Sequence, residues 1–439
     1  MLPSWQKLVH VCQRWRSIVF ASPLRLDLFL VCTSRTSVRK LFDVWPPLPI
    51  EIILERAELA NIIAALEYRG RVRKIWFLHL AGSQWERVAP MMQKPFPALT
   101  FLHVSAAVLI WDGETIPVLP DMFLGGSAPR LQTLLLRGVR FPGLPRFLLS
   151  TTDLSRLTLE GIPHTGYISP EVMVTSLSTL TRLTELTIEF ESPASRPERR
   201  GPPPLTRVIL PALEELRFHG VNEYLEDFVA RIDTPRVHTL NISFFHQLIF
   251  DIQQLSNFIR HVGLLRSSND AKLIFFNDHI DINLSPLKAT DFSKKFNLRI
   301  YCGAIDSQVS SIAQICNQFS FSLSIVEQLN IQVPRYLGVT SQLDIESTQW
   351  LELFRPFTAV RILRIHPTHQ SCIASALQEL SGERATEVFP ALNKLYVFPP
   401  EDRTHLLVYK PSGSDQQAIE SFVAARQHSD HPVAVHHYV

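Results

Sequence analysis

The sequence predicts an α/β fold in which short parallel strands alternate with return helices. Three observations predict it. A proline-led pattern recurs as Pro97-Ala98-Leu99-Thr100-Phe101-Leu102, Pro129-Arg130-Leu131-Gln132-Thr133-Leu134, Pro211-Ala212-Leu213-Glu214-Glu215-Leu216, Pro235-Arg236-Val237-His238-Thr239-Leu240 and Pro390-Ala391-Leu392-Asn393-Lys394-Leu395. Each copy runs on with period-two alternation, Leu102 with Val104, Leu134 with Leu136, Leu216 with Phe218, Leu240 with Ile242 and Leu395 with Val397, which gives a strand one apolar face. Relaxing the proline adds copies at Val72, Leu154, Leu183, Val326 and Val360. From Val72 to Val237 the copies lie about 23 to 32 residues apart, room for one strand and one helix each.

The elements follow from these letters. Proline at a strand entry costs nothing, because an entering residue need not donate to the ladder and its fixed φ stops the preceding turn from running on. Between 271 and 326 the register is irregular, with strands expected at Leu273-Ile274-Phe275-Phe276 and Phe296-Asn297-Leu298-Arg299-Ile300. After three strands, Arg137-Gly138-Val139, Glu160-Gly161-Ile162 and His219-Gly220-Val221 place a glycine at the bend, where positive φ carries no steric cost. Aliphatic, two variable, Leu, one variable, aliphatic at this period resembles the leucine-rich-repeat family over about 70–400. That resemblance implies a leucine-rich-repeat-like solenoid. The glycine turns, standing where the family carries an asparagine or cysteine, imply uneven curvature.

Composition narrows the function classes. The chain has 439 residues, 46% of them hydrophobic, and a formal net charge of +2. A near-neutral balance gives no global field for nucleic acid or an anionic membrane. The clusters Arg69/Arg71/Arg73/Lys74 and Arg196/Arg199/Arg200 lack stacking aromatics and read as solvated turns. Cys12, Cys32, Cys302, Cys316 and Cys372 are scattered and form no Cys-x-x-Cys pair, as expected in a reducing compartment. Lys7, Arg14 and Arg16 interrupt the N-terminal apolar stretch, and no run approaches the length of a membrane span. The expectation is a soluble chain of the cytoplasm or nucleus, a monomer outside any complex, that binds neither membrane nor nucleic acid.

At the N-terminus, Ser4 can cap a helix carrying Trp5, Leu8, Cys12, Trp15 and Val19 on one stripe, widened by Val11 and Ile18 and ended by Pro23. Periodicity alone reads it as a cap on the open end of the repeats. The letters Leu8-Val9-His10-Val11-Cys12-Gln13-Arg14-Trp15-Arg16, followed by Ser22-Pro23-Leu24-Arg25-Leu26, are similar to the C-terminal half of an F-box. Together with the repeats, with Arg25-Leu26-Asp27-Leu28 and with Val44-Trp45-Pro46-Pro47-Leu48-Pro49-Ile50, they resemble fungal (basidiomycete-type) F-box proteins with degenerate leucine-rich repeats. The resemblance implies a substrate-recognition receptor of a cullin-RING ubiquitin ligase. It places Leu8, Val11, Cys12 and Trp15 in the F-box core and on its surface for the small adaptor subunit. The family's first helix would precede Met1, so an F-box truncated at its N-terminus is expected, with adaptor binding weak or lost. The alternative is a repeat scaffold with no ligase link.

No catalytic constellation emerges, and neither an enzyme nor a cofactor is expected. His428, His431, His436 and His437 lack the i, i+4 spacing and the acidic partner of a metal site and read as a tail or edge strand. Cys302 and Cys316 read as small core residues. Gly125-Gly126-Ser127 is a turn without phosphate-loop spacing, and the proline-rich stretch 193–204 is a loop, with a ligand for a polyproline reader as the other reading. The expected organisation is a partial F-box-like helix at 1–24, a linker or N-terminal cap at 25–48, an irregular repeat solenoid at 49–399, and a cap helix with tail at 400–439.

Outward strand positions supply the candidate site. Arg156, Thr158 and Glu160, then Glu185, Thr187 and Glu189, then Glu215, Arg217 and His219, then Thr239, Asn241 and Ser243 alternate with the core positions. On adjacent parallel strands they would stand about 4.8 Å apart, a polar face of both charges suited to an unidentified substrate protein. Arg156, Glu160, Glu185, Glu189, Glu215, Arg217, His219 and Asn241 are its candidate partner-binding residues.

Overall fold

Leucines at the repeat position stack in register and build the core. In one run of strand pairs, Ile52 faces Ile75, Ile75 faces Leu102, Leu102 faces Leu134, Leu134 faces Leu157 and Leu157 faces Leu186. All six side chains are fully buried. Burying a leucine or isoleucine is worth about 1.5–3 kcal/mol, so the row accounts for an aliphatic residue at this position in each of these strands.

The computed structural model describes residues 7, 9–21, 28–33, 37–55, 59–106, 116–197, 206–266, 268–286, 295–332, 346–380, 382–397 and 413–437. It is an α/β protein in which strands of large, mostly parallel sheets alternate with helices. The chain divides into two compact units, Met1–Ser195 with Val208–Leu213, and Arg196–Arg207 with Glu214–Val439. One undivided array over 49–399 was expected. The division falls at the proline- and arginine-rich stretch, whose composition supplies no core positions.

In the first unit the strands are β1 (Leu30–Thr33), β2 (Ile50–Glu55), β3 (Val72–Leu80), β4 (Phe101–Ala106), β5 (Thr133–Arg137), β6 (Arg156–Ile162) and β7 (Glu185–Phe190), with a two-residue β8 (Val208–Ile209). β1 to β7 lie side by side in chain order, every pair parallel. Helices Ala60–Leu66, Gly82–Val88, Leu144–Leu148 and Pro170–Leu177 return the chain. β1 and the helix Val38–Val44 fall in the stretch 25–48, expected to be a linker or cap, so part of that stretch extends the sheet.

The second unit holds β9 (Glu215–Gly220), a two-residue β10 (Ile232–Asp233), β11 (Thr239–Phe244), β12 (Asp270–Phe275), β13 (His279–Ser285), β14 (Lys295–Tyr301), β15 (Gln328–Gln332), β16 (Ile362–Ile365), β17 (Lys394–Val397) and β18 (Ala434–His437). Its sheet runs β9-β11-β14-β13-β12-β15-β16-β17-β18. All pairs are parallel except those of β13, which is antiparallel to both neighbours. Here lies the irregularity between 271 and 326. β12 and β13 form a hairpin around Asn277-Asp278, closed by Phe276 N–H donating to His279 O at 2.8 Å, and β14 returns beside β11. The two expected strands are present, and the strand between them was missed.

Of the three glycine bends, two form as expected, with φ of +63° at Gly138 and +56° at Gly161. Gly220 instead stays extended in β9, opposite Phe244. Two buried polar side chains fix neighbouring helices in the second unit. Glu226, on helix Asn222–Ala230, accepts from Gln254 N–H at 2.8 Å and Leu255 N–H at 2.7 Å, the first donors of helix Gln253–Val262. Arg426, on helix Gly413–His428, donates to Ala385 O at 3.2 Å, Pro390 O at 3.3 Å and Leu392 O at 3.1 Å.

Candidate partner-binding face

The N-terminal segment departs from the single amphipathic helix expected of it. A turn at His10 and Val11 interrupts it, and the helix proper, Gln13–Ala21, begins beyond Cys12, whose sulfur accepts from Trp15 N–H at 3.5 Å. The interruption breaks the phase of the stripe. Val9 and Val19 turn into a core with Leu28, Leu30 and Leu48, flanked by Phe20, Leu41, Phe42 and Trp45. Val11, Cys12, Trp15 and Ile18 face outward, Val11 at 64%, Trp15 at 48% and Ile18 at 56% exposure. Of the four adaptor-binding residues expected, Val11, Cys12 and Trp15 are therefore surface groups and not core, while Leu8 lies outside the described residues, as do Ser4 and Trp5.

On the first unit's outward face three ion pairs join adjacent strands, because parallel register sets side chains of like position next to one another. Arg156 grips Glu185 with both fork nitrogens, Nε to Oε2 at 2.6 Å and Nη2 to Oε1 at 2.7 Å. Lys74 stands 3.9 Å from Glu51, and Arg137 lies 3.8 Å from Glu160. Thr158 and Thr187 face each other but are buried, so the exposed band is narrower than expected. Beyond Leu159 the register shifts at Gly161 until Ile162 faces Phe190. Glu160 is opposite Arg137 on β5 but, lying within the shift, has no registered partner on β7, so the expected row through Glu160 and Glu189 is interrupted there. Nearer β2, Trp76 donates from Nε1 to Glu51 at 2.9 Å and lies 4.1 Å from the Phe101 ring, an aromatic patch the sequence reading missed.

The second unit continues the logic with amides. Glu215 accepts from Arg217 Nε at 2.6 Å and from Asn241 Nδ2 at 3.3 Å, and Asn241 in turn accepts from Asn297 Nδ2 at 2.7 Å. His219 is half-buried. Its ring packs 4.4 Å from Phe245 and 5.2 Å from Tyr301, and burial together with the nearby Arg299 cation pushes its pKa down, favouring the neutral imidazole. Arg299 is held by both oxygens of Asp281, at 2.8 and 2.9 Å, and His279 stacks on Phe276 with its Nδ1 2.6 Å from Asp278.

Cys302 and Cys316 are buried, and burial pushes the Cys316 thiol far up, as it does Cys32 to about 11, so neither of these two thiols favours the thiolate. Among the described residues no group of three or more His, Cys, Asp or Glu is placed to hold a metal ion, and no helix is long and apolar enough to cross a membrane. Of the histidine tail, His436 and His437 form part of edge strand β18, parallel to β17. Compared with models of known protein families the chain matches none. No curated protein matches it either.

Proposed function

We propose that this chain is a protein-interaction module of the leucine-rich-repeat kind, a solenoid whose outward strand face selects a partner protein, and that it serves as the substrate-recognition receptor of a cullin-RING ubiquitin ligase. The observation that carries the interaction reading is the face itself: charged and amide side chains linked from strand to strand over a fully buried leucine row. Such a surface offers fixed hydrogen-bonding groups to a broad partner and no enclosed pocket to a small molecule. The ligase link rests on the outward Val11, Trp15 and Ile18 beside the Val-Cys-x-Arg-Trp letters, an F-box-like remnant with an apolar surface for the adaptor.

A scaffold without a ligase link is the second reading. The interruption before Gln13 favours it, because Val9 and Val19 are spent on this chain's own core and the outward apolar patch is small. Co-expression with the adaptor and capture on a tag separates the two. On the ligase reading a weak complex forms, and Trp15→Ala weakens it more than about tenfold, as expected for a central tryptophan anchor, with an unchanged melting temperature because the side chain is half exposed. Capture that is absent, or indifferent to Trp15→Ala, leaves the scaffold reading.

A further inference from the structure

The cations of the outward faces are not equivalent. Five of them have a carboxylate partner: Lys74 on β3 with Glu51, Arg137 on β5 with Glu160, Arg156 on β6 with Glu185, Arg217 on β9 with Glu215 and Arg299 on β14 with Asp281, whereas Lys295 at the start of β14 makes no ion pair among the described residues. Toward the other end of the second unit's sheet the pairing stops. Lys272 on β12, Arg364 on β16 and Lys394 on β17 make no ion pair among the described residues, and both lysines are exposed. The carboxylate near them, Asp270, is half-buried and accepts from Asn330 Nδ2 at 3.0 Å.

Register brings Lys272 and Arg364 into one line, with Lys394 two residues along β17 from it. Lys272 faces Asn330, Asn330 faces Arg364, Arg364 faces Tyr396 and Tyr396 faces His436. Arg364 is preset: Nη1 donates to Gln328 Oε1 at 2.8 Å and to Asn330 Oδ1 at 3.4 Å, and its guanidinium lies 4.9 Å from the Tyr396 ring centre. Tyr396 is stacked in turn on His436 at 4.9 Å and 19°. An arginine pre-positioned by neutral amides and an aromatic face loses little side-chain entropy on meeting an anion.

We propose that this line on β12, β15, β16, β17 and β18 binds an acidic peptide segment in extended conformation, its carboxylate or phosphate groups meeting Lys272, Arg364 and Lys394. The proposal rests on the reading of the chain as a partner-binding module and names the partner's chemistry. Five strands at about 4.8 Å span about 19 Å, matched by about six extended residues. A single-stranded nucleic acid fits less well, since Tyr396 has Arg364 over it and His436 stacked beside it and offers little open ring for a base.

Fluorescence anisotropy of the full chain tests it, using four labelled probes: a peptide alternating Glu and Ser, the same peptide with phosphoserine in place of Ser, a peptide alternating Lys and Ser, and oligouridine. Both acidic peptides are expected to bind, with the stronger of the two telling carboxylate from phosphate, and raising salt from about 0.05 to about 0.3 M should weaken them several-fold. The double variant Lys272→Gln/Lys394→Gln, which breaks no ion pair among the described residues, is expected to lose about tenfold in affinity at a nearly unchanged melting temperature. Arg364→Gln should lose at least as much, and Arg182→Gln, at an exposed turn off the strand face, nothing. Equal binding by the double variant, preference for the Lys peptide or oligouridine, or no binding by either acidic peptide would overturn the proposal. Adaptor capture is a separate assay, so failure here and failure of the ligase link are distinguishable.

Discussion

Replacing Arg426 by methionine should destabilise the C-terminal part of the second unit by about 3 kcal/mol. The guanidinium is fully buried, and with no carboxylate among the described residues it spends its donors on the carbonyls of Ala385, Pro390 and Leu392. Burial pushes its pKa down, a sign that carrying charge there is costly. Methionine removes that cost but strands three acceptors, each worth about 1–3 kcal/mol when buried unpaired, and the acceptors outweigh the relief. Hydrogen exchange after the substitution should rise first in helix Gly413–His428 and β18, which the arginine ties to the preceding turn. Unchanged protection there would mean that Phe422, Ile419 and Ala418 hold the helix by packing alone.

Glu226→Ala should cost a similar amount, about 3 kcal/mol, at a different place. Both carboxylate oxygens accept backbone donors at the start of helix Gln253–Val262, which has no side-chain cap of its own at Ile252. Charge-assisted bonds of this kind contribute about 1.5–3 kcal/mol each, and a negative charge at a helix N-terminus adds to them. Glu226→Gln retains one acceptor and turns an amide donor toward the other N–H, so it should recover less than half of the loss. Urea unfolding followed by exchange at Gln254 and Leu255 measures both variants, and a loss under about 1 kcal/mol for Glu226→Ala would show that the helix start is solvated.

The buried rows were legible because a period-two alternation repeated every 23 to 32 residues leaves few alternatives: Leu102, Leu134, Leu157 and Leu186 are core wherever the sheet begins. β13 was missed although His279-Ile280-Asp281-Ile282-Asn283-Leu284 alternates cleanly. The expectation of one strand per return helix left no room for a hairpin, and the turn at Asn277-Asp278 was the signal available. The polar face was half legible. Alternation identified Arg156, Glu185, Glu215, Arg217 and Asn241, but which residues meet depends on register, and the shift at Gly161 interrupts the row through Glu160 and Glu189. The line through Lys272, Asn330, Arg364, Tyr396 and His436 crosses five strands far apart in sequence, so only the pairing reveals it. Nothing local marks Arg426 and Glu226 as buried, because each is a long polar side chain that reaches backbone groups more than about 25 residues away.

The central claim is that partners meet the outward strand face. Site-specific photo-crosslinking tests it most directly, with a benzophenone side chain placed at position 272 on that face in one variant and at position 352, exposed on helix Ser347–Phe354, in another. In cell extract the position-272 variant should capture a discrete partner that an excess of the acidic peptide displaces, and the position-352 variant should capture none. A partner crosslinked through position 352 and indifferent to the peptide would contradict the account.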